Sequence, residues 1–534
     1  MDKDPLTCVP GLRTLIMLFN SAEFLFAFLP LTLLGFYVLG RWTGTRLALG
    51  FLVAASLFFY GYWKAEYLVL IVLSTLANFA LGKVLAEPAR AKESRRAFLA
   101  VGVTANLALL GYYKYSGFLL GTVAALSGAK VPDLHILLPL GISFFTFQQI
   151  AYLVDAYRGE AKELNLPRYA LFVTFFPQLI AGPIVHHREV LPQFSRKGLF
   201  RFQSERIGVG LTLLVIGLFK KIILADGVAI YARPVFEAAD GGLTVSALEA
   251  WGGALAYTFQ LYFDFSGYSD MALGLGRLFG IRLPQNFNSP YRATSIVQFW
   301  QSWHITLSQF LRDYLYIPLG GNRRGKSRRY VNLMLTMLLG GLWHGAGWNF
   351  VIWGGLHGSY LIINHAFRAR VAQPIWEKKP VLQVIPWALT FLAVVVAWVF
   401  FRATTYGGAW AMLRAMLLVD GLHLPAGYLR SLGALGQLAQ ACGVSFDLEK
   451  MPLFFGLPQL LWLGGLGAMC TLCPNSCELM KRYRPVTRLA RGAHVPLLSF
   501  EFRLTPRWAV LVGAMGLVTL AYLQRVSEFL YFQF

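Results

Sequence analysis

The stretch "FFPQLIAGPI", Phe175 to Ile184, packs two prolines and a glycine into ten residues that are otherwise almost free of polar groups. Each proline removes a backbone donor and crowds the preceding turn, so no continuous helix can run through it. Its composition is equally wrong for a solvated loop. In lipid an irregular backbone would leave N–H and C=O groups unsatisfied, and it is tolerated only where protein buries it or where it lines a cavity. The stretch therefore reads as a re-entrant or broken element at membrane depth, and the fold around it as helices surrounding a cavity.

The rest of the chain agrees that the bilayer is the solvent. Of its 534 residues 56% are hydrophobic and 14% charged, against roughly 25% charged in soluble domains. Apolar runs recur from near residue 24 to near residue 524, and ~20 helical residues are enough to cross ~30 Å of hydrocarbon. The alternation of a β-barrel is missing, so the spans are helices, roughly eleven to thirteen segments with some too short to cross alone. They lie near 24–40, 47–63, 66–82, 98–126, 134–157 and 206–226, and "AYTFQLYFDFSGYSDMALGLG", Ala256 to Gly276, adds another. The first run passes into Arg41 without a small-residue cleavage pattern and is read as a retained span, not a signal peptide. An all-α polytopic membrane protein follows, with the lipid bilayer as its first partner.

Charge supports this reading. Lys and Arg number 48 against 26 Asp and Glu, a net +22, which in a soluble protein would suggest nucleic acid. Here the basic residues sit in the breaks between apolar runs: Lys83 to Arg96, Arg158 to Arg168, Arg188 to Arg201, Arg323 to Arg329, Arg368 to Lys379 and Lys481 to Arg491. Positive-inside topology places all six in the cytoplasm and leaves no call for nucleic acid. Five cysteines give no disulfide framework; Cys470, Cys473 and Cys477 lack the fourth ligand of a structural zinc site, and no metal is expected.

A second stretch, "LLGGLWHGAGWN", Leu338 to Asn349, sets His344 among glycines between two of those cytoplasmic loops. The chain between them must enter and return. Its incoming arm, Tyr330 to Trp343, is 14 residues long, a rise of only ~21 Å, so the turn lies inside the membrane. An ionisable group there is a functional-site hypothesis by default. His304, forty residues upstream, also directly follows a tryptophan. A dry site disfavours the imidazolium and leaves a neutral ring that can take a proton from a hydroxyl, while a second imidazole can orient it or donate to developing charge. A structural role, a proton relay and a metal site stay open on spacing alone. No serine or cysteine stands in a nucleophile-elbow pattern, so attack falls to an acceptor hydroxyl. Asp264 and Asp270, six apart and thus about 240° apart on a helix, face different ways and are read as separately hydrogen-bonded rather than as a catalytic pair.

"FFPQLIAGPI", "LYFDFSGYSDMALGLG", "FNSPYRATSIVQFWQSWHITLSQFLRDYLYIPLGGNRRG" and "LLGGLWHGAGWNFVIWGGLHG" together closely resemble the membrane-bound O-acyltransferase (MBOAT) family, in its bacterial branch that acetylates alginate-like polysaccharide. The match runs in order from Met17 to about residue 405 and includes the last few residues; it divides the chain into an extension (1–16), an MBOAT core (17–405) and a C-terminal helical region with an aromatic tail (406–534).

The resemblance implies a helical bundle with broken helices around a transmembrane tunnel, in which a cytoplasmic acyl thioester meets an acceptor from the other side. It implies His344 as the catalytic residue and His304 as its assistant. Trp343, Trp303, Asn349, Pro177, Gly182 and Asp264 are the candidate tunnel-lining residues. The expected donor is acetyl-CoA, a substrate and not a resident cofactor, with Arg323, Arg324 and Lys326 as candidate phosphate contacts. The expected acceptor is an exported polysaccharide, reached through a periplasmic acetylesterase-like partner, and the expected location the bacterial inner membrane.

The tail "EFLYFQF" should emerge outside the cytoplasm, where its aromatics suit an interfacial belt or, alternatively, Tyr531 takes the acyl group as a relay. Transfer of D-alanyl or another acyl group within the same family is one competing reading. A polar lipid or sugar transporter is another, against which the lack of an internal repeat weighs, and a scaffold for polysaccharide export is a third.

Overall fold

Helices dominate the computed structural model, which describes residues 17–130, 136–161, 163, 165–371, 374–419, 421–449, 451–490, 496–524 and 530. Among these, Phe24–Trp42, Glu66–Ala86, Lys92–Ser127, Ser204–Asp240 and Val381–Arg402 are long and apolar enough to cross a bilayer, and Thr45–Gly61, Leu457–Leu472 and Pro506–Ala521 are shorter apolar helices. The chain is an all-α multi-pass membrane protein.

Two expected spans differ in detail. The segment expected near 98–126 starts earlier, at Lys92, and contains a π turn at Gly111–Tyr115. The segment expected near 206–226 runs on to Asp240 through a second π turn, Lys220–Ala225. Helical periodicity in a sequence does not register the single extra residue of a π turn.

The acidic segment Ala256 to Gly276 lies within one helix of 32 residues, Ala247–Leu278, opened by a capping box between Ser246 and Glu249. Almost all of its residues are buried, so protein rather than lipid surrounds it. Its closest neighbour is Ser204–Phe219, and the approach is set by glycine: a Cβ on Gly217 would lie 2.5 Å from the carbonyl oxygen of Gly267. At this seam the two acids each meet a lysine. Lys220 Nζ lies 2.6 Å from Asp270, which also accepts from Ser476 Oγ at 2.6 Å. Lys221 Nζ lies 2.7 Å from both Asp264 and Asp226. Asp264 and Asp270 do not form a pair with each other, and burying charge this deeply is tolerable because each has an opposite partner.

The broken element is as irregular as its prolines require. Leu166–Thr174 stops at Phe175, a four-residue turn Phe176–Leu179 follows, and no helix resumes before His187. Every residue from Leu171 to Val185 is buried. Between Tyr406–Met416 and Leu457–Leu472 the expectation of helix alone is corrected: two short parallel strands, His423–Pro425 and Ser445–Leu448, are joined across their edge by His423 and Asp447 at 2.9 Å.

Candidate active site

Two chain breaks carry the two histidines. The helix Gly325–His344 ends at His344, Gly345 and Gly347 take extended backbone, and Trp348–Arg370 begins at once. The two arms form the hairpin expected from the flanking loops. They touch backbone to backbone: a Cβ on Gly341 would meet Phe350 O at 2.2 Å, and one on Gly354 would meet Met337 O at 2.4 Å. Asn349 ties the outgoing arm down by donating to Ala403 O at 2.7 Å. His344 is 3% exposed, and the rings of Trp343, Trp353 and Phe401 surround it at 5.0, 5.0 and 5.3 Å.

His304 lies between the short helices Ile296–Ser302 and Ile305–Leu311, with φ 42° and ψ 54°. A non-glycine residue in this left-handed region is strained and persists only when its surroundings enforce it. Asn286 enforces it. Its backbone oxygen accepts from Ile305 N at 2.9 Å, and its side-chain oxygen accepts from Thr306 Oγ1 at 2.9 Å and Thr306 N at 3.4 Å. The same oxygen lies 3.2 Å from His304 Nδ1. An oxygen that already accepts can only accept again, so His304 carries its proton on Nδ1 and keeps the lone pair on Nε2. Thr306 Oγ1 in turn accepts from Ile184 N at 3.0 Å, which fastens the end of the broken element to the loop that holds His304.

The two imidazoles share one dry pocket, their centroids 6.3 Å apart, with Trp343 packed on both. His304 is fully buried and also meets Phe265 edge-on at 4.8 Å. A third histidine, His357, accepts from Trp300 Nε1 at 3.3 Å, and Trp353 stands between it and His344. Indole and phenyl rings surround both imidazoles, and the other polar atoms nearby are the buried indole N–H groups of Trp343 and Trp353, the Asn286 amide and the Lys114 ammonium. Such a pocket can accept a proton from a hydroxyl while strengthening any electrostatic contact made inside it.

The other expected site residues fall at differing distances from this pocket. Trp303 is buried among Tyr262, Phe287, Phe299 and Trp398. Pro177 and Gly182 are buried in the broken element, where a Cβ on Gly182 would lie 2.4 Å from Gln178 Cα. Asp264 is engaged by Lys221, one residue before the Phe265 that packs on His304. Arg323, Arg324 and Lys326 are exposed around the start of the incoming arm. Tyr531 lies outside the described residues; Leu530 before it is buried, with its backbone at the Asp264 carboxylate.

Reading by motif passed over Asn286 and a further, half-buried cluster. Asp155, His186 and His187 bring ligand-type atoms within 4.8 Å of one another. Hydrogen bonding already accounts for much of that convergence. His186 Nδ1 accepts from Arg188 N at 3.3 Å, which leaves Nε2–H to face Asp155 Oδ2 at 2.8 Å, and Tyr314 OH donates to the same oxygen at 2.6 Å. The cluster anchors the chain that leaves the broken element.

The family model described as "MBOAT, membrane-bound O-acyltransferase family" matches residues 155–404. The peptidoglycan O-acetyltransferase of Helicobacter pylori is 44% identical over 439 residues, covering 77% of this chain and 82% of that protein. A probable alginate O-acetylase of Pseudomonas aeruginosa is 44% identical over 406 residues, 75% of each chain. The teichoic acid D-alanyltransferase of Bacillus subtilis is more distant, 29% identical over 256 residues, covering 46% of this chain and 62% of that one.

Proposed function

The chain belongs to the membrane-bound O-acyltransferase family, and from that premise we propose that it moves an acetyl group from cytoplasmic acetyl-CoA across a bacterial inner membrane towards hydroxyls of an exported, alginate-like polysaccharide. His344 acts as general base. It removes the proton from an acceptor hydroxyl, the oxygen attacks the thioester carbonyl, and the coenzyme A thiolate departs and takes up a proton. His304 assists through its Nε2 lone pair. The observation that carries this reading is the burial of two imidazoles in one aromatic pocket, one of them held in a strained conformation and a defined tautomer by Asn286. Similarity to two polysaccharide O-acetylating proteins at 44% identity favours acetyl over D-alanyl.

The first acceptor in this scheme is the Tyr531 hydroxyl, which passes the acetyl group to a periplasmic acetylesterase-like partner. The burial of Leu530, the residue before it, supports this reading. Arg323, Arg324 and Lys326 meet the donor phosphates, and the broken element, with Trp303, Trp343, Asn349, Pro177, Gly182 and Asp264, shapes a tunnel between the two faces.

Purified protein in nanodiscs, given labelled acetyl-CoA, tests the reading by release of free coenzyme A and by labelled acceptor. His344→Ala should lower turnover by roughly 10²–10⁴-fold, the usual worth of a general base. Near-normal turnover in a well-folded variant would remove His344 from the mechanism, and absence of any acetyl transfer by the native protein would favour transport or scaffolding.

A further inference from the structure

The helix Gly325–His344 ends at the catalytic residue itself, and a helix end inside an apolar bundle raises the question of its carbonyls. The last four C=O groups of a helix have no partner within it. Left unpaired away from water, each is costly. Gly341 O is taken by Gly345 N at 3.3 Å, where the chain turns. The next three oxygens, of Leu342, Trp343 and His344, all find donors on one turn of a different span.

That turn is the π turn Gly111–Tyr115, "GYYKY", inside the apolar helix Lys92–Ser127. Tyr115 OH donates to Leu342 O at 2.8 Å. Lys114 Nζ donates to Trp343 O and, at 3.3 Å, to His344 O, while its remaining direction reaches Ser143 Oγ at 3.5 Å. The ammonium also lies 5.8 Å from the centroid of the Trp343 ring, on its face. An ammonium at a helix C-terminus opposes the negative end of the helix dipole, and its three donors match three nearby oxygens. A π turn is rare and tends to occur at functional sites; here it turns two successive side chains towards one helix end. A lysine in an apolar span is otherwise hard to account for, since lipid-facing placement would be expensive.

We infer that Lys114 and Tyr115 are positioning residues for the acyl transfer proposed above: together they hold the end of the helix that carries His344, and so fix where its imidazole points. The inference rests on the assignment of His344 as the base. Lys114 touches neither donor nor acceptor in this account. It acts through the backbone of the histidine.

The test uses the full chain in nanodiscs with labelled acetyl-CoA, comparing Lys114→Met, Lys114→Arg and Tyr115→Phe with His344→Ala. Displacing a catalytic group by about 1 Å can cost on the order of 10²-fold, so kcat of Lys114→Met should fall by roughly that factor while KM for acetyl-CoA stays within about twofold. Lys114→Arg, which keeps charge and donors, should recover most of the loss, and Tyr115→Phe should lose several-fold in kcat alone. An inactive His344→Ala beside a Lys114→Met of normal kcat would overturn the clamp and leave the base assignment standing. An active His344→Ala would overturn the base and the clamp with it. A loss in Lys114→Met that appears as raised KM with kcat kept, or one that Lys114→Arg does not relieve, also overturns it. Should Lys114→Met fail to purify as a monodisperse protein, Tyr115→Phe decides, since it removes a single hydroxyl: wild-type kcat there refutes the inference.

Discussion

Replacing Asn286 by alanine removes one oxygen on which three donors converge: His304 Nδ1 at 3.2 Å, Thr306 Oγ1 at 2.9 Å and Thr306 N at 3.4 Å. Each hydrogen bond is worth about 1 kcal/mol net, and a buried donor left without a partner costs about 1–3 kcal/mol. Over three donors the expected loss of stability is therefore about 3 kcal/mol at the net value and more where a donor stays unpaired, enough to lower the midpoint of thermal unfolding in detergent. The catalytic loss should be larger than this implies. Without the side-chain oxygen His304 Nδ1 and Thr306 lose their shared acceptor, and the bond from Ile305 N to the Asn286 backbone oxygen remains to hold the turn at φ 42°, so the Nε2 lone pair is offered less strictly in one direction. Turnover should then fall by roughly 10²-fold or more, towards the full worth of an oriented imidazole. Asn286→Asp supplies the contrast, because a carboxylate still accepts from all three donors and should keep turnover within about tenfold of native. The assay is release of free coenzyme A from acetyl-CoA by each variant at matched amounts of folded protein. Equal turnover in Asn286→Ala and the native chain would refute the tautomer argument, and equal losses in both variants would show that volume or charge, not acceptance, is what matters at this position.

Three other outcomes follow from the same geometry. Gly182→Leu places a branched side chain where a Cβ already meets Gln178 Cα at 2.4 Å, and it should reduce activity by displacing the broken element from Thr306; unchanged donor and acceptor kinetics would put that element outside the pathway. Removing the charges of Arg323, Arg324 and Lys326 together should raise KM for acetyl-CoA and flatten its salt dependence with kcat retained, as measured at two ionic strengths; an unchanged KM would leave them as topology markers alone. Tyr531→Phe keeps the aromatic character of the tail and deletes the hydroxyl, so polysaccharide acetylation in cells should be almost lost, and full acetylation at matched protein level would leave direct transfer as the mechanism.

What could be read from the sequence and what could not divides along physical lines. Phe175 to Ile184 announced its break because proline forbids helix in any context, and the hairpin at His344 followed from charge and length together. Both are local rules. Asn286 lies in the loop "LPQNFNSPYR", with nothing in its spacing to tie it to a histidine eighteen residues on; its role exists only once two chain segments meet. Lys114 did leave a trace, a cation within an apolar run, but nothing in the sequence pairs it with a helix end that lies far along the chain. Lys220 and Lys221 were hidden in the same way, and the acids of the neighbouring helix therefore lacked visible partners. The two short strands beyond residue 420 had no signal that periodicity could detect, being three and four residues long.

The lysine–aspartate seam between Ser204–Phe219 with its π turn and Ala247–Leu278 bears on how the chain enters the membrane at all. Spans leave the translocon in order of synthesis, and a lysine or aspartate near the middle of a helix disfavours release into lipid by about 2.5–3.5 kcal/mol. Lys220 and Lys221 emerge from the ribosome before Asp264 and Asp270 have been made, so the two lysines alone put a penalty of about 5–7 kcal/mol on the earlier helix while it waits. Asp226, five residues on from Lys221, is the one acid of this cluster already present, and it offsets part of that cost. The remainder is relieved when the second helix arrives with its acids in register. Insertion of this part of the protein should therefore be a paired event, in which the membrane receives the two segments with their charges matched instead of one after the other.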